Sequence, residues 1–166
     1  PARSAAAVRC EPGGRRVFDT RNACSMSDDR DERVDLAAAG DLRSFGRRRG
    51  RKLSAHQDDL VQTLLPRLTL DLSRAAPAAI ETLFDANVDQ AWLEIGFGGG
   101  EHLLWQARHN QTVGLIGCEP FIDGVVKVLS GIDHDKLSNI RLYADDARAV
   151  LRWLPEASIS RAFVLF

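Results

Sequence analysis

Two acidic residues and a run of glycines stand at the ends of neighbouring apolar segments in the middle of the chain. Glu94 precedes Gly96, Gly98 and Gly100 in the segment LEIGFGGG, and Glu119 directly follows the apolar run VGLIGC. Glycine adopts positive φ easily and lets a ligand approach the backbone, while a carboxylate accepts hydrogen bonds from ammonium and hydroxyl groups. This combination predicts a site for a cationic ligand that carries hydroxyl groups.

S-adenosylmethionine has these groups: an ammonium, a carboxylate, a sulfonium and a ribose with two free hydroxyls. Glu94, at the end of one expected strand, is placed to face the ammonium, and Glu119, at the end of the next, to accept from both ribose hydroxyls. Hydrogen bonds to charged groups contribute about 1.5 to 3 kcal/mol each. The predicted cofactor is therefore S-adenosylmethionine, with Gly96, Gly98 and Gly100 forming the loop that holds it.

A nicotinamide dinucleotide is the main alternative cofactor, because its fold uses a similar strand, loop and helix. Its fingerprint has the form Gly-x-Gly-x-x-Gly. Counted from Gly96, the sixth position is Glu101; counted from Gly98, the third is Gly100 and the sixth is Leu103, so neither register fits. Glu101 at a helix N-terminus would also repel a pyrophosphate. The sequence favours the methyl donor, and with it a methyltransferase.

Strands and helices alternate along the chain from residue 91 onward. The expected strands are 91–95, 113–118, 140–144 and 161–166, and the expected helices are 101–108, 121–129 and 147–153. Short apolar strands between helices predict an α/β, Rossmann-like class I methyltransferase fold with a doubly wound, mostly parallel sheet. Ligands of such sheets bind beyond the carboxyl ends of the strands, where Glu94, Glu119 and Asp145-Asp146 all fall. For Asp146, an adenine contact and a helix N-cap both stay open.

Two short helices are expected before the first of these strands. Ser54 and Gln57 have the spacing of a capping box, and the helix that they begin is expected to end at Pro66. A second helix is expected over 76–84, with Pro77 in its first turn.

Several other residues with useful chemistry are assigned structural roles. A helix-surface position is favoured for His102 over a position that lines the pocket. Trp92, Trp105 and Trp153 fall at strand or helix positions, and we expect them in the core rather than as platforms for stacked bases. The histidines and cysteines have no metal-ligand spacing, so no metal is expected.

Composition and charge fit one α/β domain with an appended segment. The chain has 166 residues, of which 45% are hydrophobic and 27% charged, and its net charge is -1. The N-terminal segment lacks the apolar centre of a secretory signal, and no apolar stretch in the given sequence approaches the about 18 residues of a membrane span. Its three cysteines suggest no disulfide framework. A cytoplasmic location without membrane association is therefore expected.

Positive charge is concentrated in a basic arm over residues 43–53. Its basic residues are Arg43, Arg47, Arg48, Arg49, Arg51 and Lys52. Dense arginine clusters bind nucleic-acid phosphates, so Arg47, Arg48, Arg49 and Arg51 are the predicted substrate-binding residues. The alternative is a solvated basic tail.

The two ends of the chain also lead to expectations. The sequence begins with Pro1, and its only methionine is Met26. Residues 1–42 are expected to be a disordered or non-native extension, followed by the basic arm and a methyltransferase domain over 54–166. Phe166 falls inside an apolar run typical of a strand, so the domain is expected to be incomplete at its C-terminus.

Taken together, the motifs resemble those of the bacterial tRNA (guanine-N7)-methyltransferases. The segments that carry the resemblance are RSFGRR at 43–48, LEIGFGGGEHL at 93–103, GCEPF at 117–121, NIRL at 139–142 and DDAR at 145–148. The resemblance implies methyl transfer from S-adenosylmethionine to N7 of a guanine in tRNA, usually position 46, with Glu94, Glu119 and Asp146 at cofactor-binding positions. In that family the last strand continues into a Pro-Asp-Pro-Trp motif with the proposed catalytic acid, so here that acid is expected beyond Phe166.

The implied chemistry asks little of the protein. Guanine N7 has an in-plane lone pair and no proton to lose, so its attack on a sulfonium methyl needs no general base. In-line positioning and a nearby carboxylate supply the catalysis. Two alternatives stay open: a class I methyltransferase with a small-molecule or protein substrate, and a cofactor-binding module without activity. The sequence does not distinguish a monomer from a homodimer.

Overall fold

The computed structural model describes residues 52–165. The predicted extension over 1–42 and the predicted substrate-binding residues, Arg47, Arg48, Arg49 and Arg51, lie outside the described residues. None of the helices within 52–165 has both the length and the apolar character needed to cross a membrane.

Within the described residues, four parallel strands form one sheet in the order β3-β2-β1-β4. Their bounds are Gln90–Ile95 for β1, Val113–Cys118 for β2, Ile140–Tyr143 for β3 and Arg161–Val164 for β4. Every residue of β2 is buried, as expected for an apolar strand that is covered on both faces of a parallel sheet. β1 pairs with β2 on one side and with β4 on the other. The chain therefore reverses its direction of winding at β1, and such a switch point is where doubly wound sheets bind ligands.

Helices cover both faces of this sheet. Their bounds are Ala55–Thr63 for α1, Leu65–Leu68 for α2, Glu101–His109 for α3, Ile122–Asp135 for α4 and Ala147–Trp153 for α5, and a 3-10 helix spans Ile80–Leu83. One buried cluster joins Leu103 of α3 and Leu129 of α4 to the sheet, and the other joins Ile80 and Val150 to the opposite face. The doubly wound α/β fold expected from the sequence is confirmed.

The first helix begins where the capping box predicts. Ser54 Oγ accepts from the Gln57 amide at 3.2 Å, and Gln57 Oε1 accepts from the Ser54 amide at 3.0 Å. The expected end is wrong, because α1 stops at Thr63 and Pro66 lies in the first turn of α2. Proline fits a first turn without loss, since the amide that it lacks has no partner inside the helix there.

The helix expected over 76–84 is also wrong. Only the 3-10 helix over Ile80–Leu83 forms, preceded by Ala79 in an extended conformation with no side-chain cap. A segment this short makes too few hydrogen bonds to offset the cost of helix nucleation, so its conformation follows tertiary packing of Ile80 against the sheet.

Helix α4 is longer than the expected 121–129. Its second half contributes Ile132, which is 2% exposed, and Gly131, where an added Cβ would lie 2.5 Å from Leu104 of α3. Close packing against α3 therefore carries the helix through Ser130-Gly131, residues whose intrinsic preference is to end it.

Asn139 fixes the amino ends of the sheet relative to α3. Its side chain is buried, and Nδ2 donates to the carbonyl oxygens of Ala107 at 3.1 Å and Val113 at 3.0 Å. One side chain thereby satisfies backbone groups at the end of α3 and at the start of β2.

Candidate cofactor site

The acids predicted at strand ends lie along one edge of the sheet. Ile95 pairs with Cys118, and Cys118 pairs with Tyr143, so β1, β2 and β3 end level with one another. Glu94 is the second-last residue of β1, and Glu119 directly follows β2. The structure therefore brings these two acids to the same edge, at the switch point of the sheet.

The loop between β1 and α3 depends on its glycines. Gly96, Gly98 and Gly100 have φ values of 74°, 53° and 79°, a region that other residues rarely adopt. A Cβ at Gly96 would overlap the Leu165 carbonyl oxygen, and one at Gly100 would overlap Val128 of α4. A Cβ at Gly98 would meet no atom of residues 52–165 within 4 Å. Gly96 and Gly100 thus serve packing as well as conformation, whereas Gly98 faces open space.

Glu119 ties the glycine loop to the next strand and helix. Its Oε2 accepts from the Gly98 amide at 2.8 Å, and its Oε1 accepts from the Phe121 amide at 2.9 Å. The residue is 8% exposed. Each carboxylate oxygen has a second lone pair, so Glu119 retains the capacity to accept from ligand hydroxyls while it holds the loop.

Glu94 is fully buried, with one carboxylate oxygen paired and the other not. Its relative exposure is 0%, and Oε2 lies 2.7 Å from His102 Nδ1. Oε1 has no hydrogen-bond partner among the described residues. Burial raises the pKa of the Glu94 carboxyl above its ordinary value, and the hydrogen bond from His102 partly offsets the rise. An unpaired buried carboxylate oxygen is costly, so a donor from outside the protein fits this position.

His102 lies between the two positions considered for it, because 35% of its side chain is exposed and the remainder faces the site. Its imidazole contacts Glu94 and lies edge-on to Phe163 of β4, with ring centroids 4.7 Å apart. The sequence contains a signal for this contact, because Glu94 and His102 flank the glycine loop and the loop must return α3 across the end of β1. Helix periodicity alone misses that signal, since it does not say which face a residue in the first turn presents.

Asp146 lies at the carboxyl end of β3 and is the N-cap of α5. Its Oδ1 accepts from the Arg148 amide at 2.9 Å, and the Arg148 side chain folds back to form an ion pair with the same carboxylate. These hydrogen bonds hold the pKa of Asp146 below its usual range. The N-cap interpretation describes this conformation, and an adenine contact stays a prediction.

The tryptophans divide between core and surface. Trp92 is buried at 7% exposure, as expected. Trp105 is 52% exposed and stacks on His109 with ring centroids 4.3 Å apart, so its expected core position is wrong. Trp153 is half-buried and donates from Nε1 to the Arg74 carbonyl at 2.6 Å. Trp105 faces away from the sheet because α3 buries Leu103, Leu104 and Ala107 instead.

The residues along this edge fit S-adenosylmethionine. Glu94 has an acceptor oxygen, without a partner in the described part of the chain, that suits an ammonium; Glu119 has acceptors that suit ribose hydroxyls, and Gly98 leaves space over the loop backbone there. Across residues 52–165, His, Cys, Asp and Glu side chains form no group of three or more that could hold a metal ion.

Comparison with known proteins gives consistent matches. A family model described as "Putative methyltransferase" matches residues 89–166. A tRNA (guanine-N(7)-)-methyltransferase of Rhodopseudomonas palustris (strain BisB18) is 49% identical over 136 residues, which are 82% of this chain and 54% of that protein. An enzyme of the same name from Brucella anthropi is 49% identical over 130 residues, or 78% of this chain and 55% of that protein.

One solved structure, titled "Structure of an Antibiotic Related Methyltransferase", is 18% identical, with a TM-score of 0.42 over 72% of this chain and 50% of that chain. The fold assignment therefore rests on the strand order and the helices of this protein, and not on that structure.

The chain spans about half the length of the curated relatives it matches, 54% in the case of the Rhodopseudomonas protein. Within that span the identity to several such proteins lies between 43% and 51%, and the matched family model covers β1 through β4, the part that builds the site. Over this matched span the chain is therefore a relative of the bacterial tRNA (guanine-N7)-methyltransferases.

Proposed function

We propose that this protein transfers a methyl group from S-adenosylmethionine to N7 of a guanine in tRNA, usually position 46. The observation that carries the proposal is the buried Glu94 Oε1 beside the glycine loop, which has no partner among residues 52–165. The chain that contains it is 49% identical over 136 residues to a tRNA (guanine-N(7)-)-methyltransferase. Because the chain covers only part of those relatives, the activity of the whole protein stays a proposal.

The cofactor would be held by residues from three strand ends. Glu94 Oε1 accepts from the ammonium, Glu119 accepts from the ribose hydroxyls, and Asp146 lies where the adenine is expected. The backbone of Gly96, Gly98 and Gly100 forms the floor, supported by the hydrogen bond from Gly98 to Glu119. When bound, the cofactor supplies an electrophilic methyl group. The protein's task is then to orient that group and to exclude water from it, without a general base.

The tRNA would be held by the basic arm. Residues 43–51 join the described chain at Lys52, and Lys52 and Leu53 line a hollow of about 280 Å³ together with Asp123 and Lys127 of α4. Asp123 is in the first turn of α4, which begins three residues after Glu119. Lys52, the described residue that residues 43–51 precede, therefore lies near the carboxyl edge of the sheet. We propose that Arg47, Arg48, Arg49 and Arg51 bind tRNA phosphates there, and that the protein acts in the cytoplasm, where tRNA is found.

The proposal is tested with two tRNA transcripts of the same sequence that differ only in the atom at position 7 of guanine. One contains guanosine, and the matched control contains 7-deazaguanosine, which replaces N7 by carbon. With S-adenosylmethionine labelled in its methyl group, we expect label in the first transcript and none in the second. Equal labelling of both would contradict N7 as the acceptor. Cofactor binding without any transfer would favour the cofactor-binding module.

A further inference from the structure

We propose that His102 is a positioning residue for cofactor binding: a chain of hydrogen bonds from Asn110 through Gln106 fixes its ring so that Nδ1–H always points at Glu94. The inference rests on the proposed function, because it concerns the acid that would face the cofactor ammonium. The three residues are spaced four apart, His102 and Gln106 on α3 and Asn110 at its C-cap, so their side chains lie one above the other on the same face.

The orientation of the Asn110 amide is set by the backbone. Its Nδ2 donates to the Gln106 carbonyl oxygen at 2.9 Å and to Gln106 Oε1 at 2.9 Å. If the amide were flipped, its oxygen would face that carbonyl oxygen, and two acceptors would be in contact. Asn110 therefore presents N–H to Gln106.

The donor and acceptor roles between Gln106 and His102 follow from the same reasoning. Gln106 is 9% exposed, and its Oε1 already accepts from Asn110, so the group facing His102 is its Nε2. Gln106 Nε2 lies 3.0 Å from His102 Nε2. An amide nitrogen can only donate, so His102 Nε2 accepts and carries no proton. The proton of the neutral ring is then on Nδ1, from which it donates to Glu94 Oε2 at 2.7 Å.

This arrangement leaves Glu94 with one defined free acceptor. Oε2 is held by His102, the imidazole is held in turn by Phe163, and Oε1 has no partner among the described residues. In a fully buried position this donor also stabilises the charged form of the carboxyl, which is the form that binds an ammonium. His102 therefore prepares Glu94 before the cofactor arrives.

Other titratable groups around β1 have different partners. On the β2 side, Glu119 accepts from the Gly98 and Phe121 amides, while Cys118 is buried in the cluster on the opposite face of the sheet. On β4, the Arg161 guanidinium lies over the Trp92 ring, 4.4 Å from its centroid.

At the start of α3, the Glu101 carboxylate lies against Gly99, in the space that a Cβ at Gly99 would occupy. Among the described residues that face Glu94 from β1, β2, β4 and α3, His102 is thus the one that pairs with its carboxylate.

Three substitutions at one position test the donor. His102→Asn places an amide nitrogen close to the position of Nδ1, His102→Gln places it near Nε2, and His102→Leu removes it. We expect the Kd for S-adenosylhomocysteine, measured by calorimetry on the full chain, to rise about tenfold to hundredfold in His102→Leu. His102→Gln should weaken binding by a similar factor, and His102→Asn should stay within about threefold of wild type. His109→Leu, on the exposed face of the same helix, is the matched control.

A pH series separates positioning from general packing. In His102→Leu the buried Glu94 loses the donor that stabilises its charge, so the loss of affinity should grow as the pH falls and shrink as it rises. A loss that does not vary with pH would show a packing defect and overturn the inference. If His102→Leu does not fold, the contrast between the Asn and Gln variants gives the same answer.

A second measurement needs no ligand. The 15N shifts of the His102 ring in the wild-type protein should show the Nδ1–H tautomer, and Gln106→Leu should convert it to a mixture. A wild-type ring protonated on Nε2 would overturn the inference.

The binding measurements separate this inference from the proposed function. Wild-type protein that binds no cofactor would overturn the proposed function and this inference with it. Wild-type protein that binds cofactor, together with an unchanged Kd in His102→Leu, would overturn this inference alone.

Discussion

Replacing Glu94 by glutamine removes one charge at the centre of the site with almost no change in shape. The glutamine side chain would keep the hydrogen bond from His102 by placing its oxygen where Glu94 Oε2 lies, 2.7 Å from Nδ1. Its NH₂ group would then occupy the position of Oε1, the acceptor without a partner among the described residues. A donor would thus face the cofactor ammonium.

The expected loss follows from that exchange. A hydrogen bond to a charged group contributes about 1.5 to 3 kcal/mol. At about 1.4 kcal/mol for each tenfold change, the Kd for S-adenosylmethionine should rise by a factor of about 10 to 150. Calorimetry measures this directly, with Glu156→Gln as the control at an exposed glutamate between α5 and β4.

Glu94→Gln should weaken cofactor binding but should not lower the stability of the folded protein. Burial raises the pKa of Glu94 in the folded state, so the folded protein holds that proton more tightly than the unfolded chain does. The charged carboxylate therefore costs stability above the folded pKa, and the cost disappears as pH falls below the unfolded value. Glu94→Gln should accordingly melt at the same temperature as wild type or higher at pH 8, with the difference vanishing at acidic pH. A Kd within threefold of wild type, or a large fall in melting temperature at pH 8, would refute the reasoning.

Five further changes have distinct expected results. Gly98→Ala adds a Cβ that meets none of the described atoms within 4 Å, so it should weaken cofactor binding with a stability loss of about 1 kcal/mol. Gly100→Ala should lose more stability by urea unfolding, because its Cβ overlaps Val128 of α4. Glu119→Gln must turn an NH₂ toward a backbone amide and should raise the calorimetric Kd about tenfold or more. Asn139→Ala should lower the free energy of unfolding by about 2 kcal/mol without an effect on saturated activity. Removing residues 43–51 should weaken tRNA binding and flatten its salt dependence while cofactor affinity stays constant; equal loss of both would contradict the arm hypothesis.

The sheet and its acids were predictable because their signals are local. β2 and α5 have the bounds expected from the sequence, because a continuous apolar run predicts a buried strand and an N-cap followed by an amphipathic segment predicts a helix. Parallel strands then force their carboxyl ends to one edge, so the shared position of Glu94 and Glu119 follows from topology alone.

The parts that were missed depend on contacts between elements distant in sequence. The half-buried position of His102 arises because α3 crosses the end of β1, and the extension of α4 arises because Gly131 fits against Leu104. The segment around Pro77 has helical composition, yet its conformation follows where Ile80 is buried. Composition and periodicity do not contain this information, because it is a property of the packed fold.

The most direct test is a crystal structure of the protein with S-adenosylhomocysteine. We expect the ligand's ammonium within hydrogen-bond distance of Glu94 Oε1 and its ribose hydroxyls on Glu119, over the backbone of Gly98. A ligand bound elsewhere, with Glu94 Oε1 still buried and unpaired, would contradict the assignment of this edge of the sheet as the cofactor site.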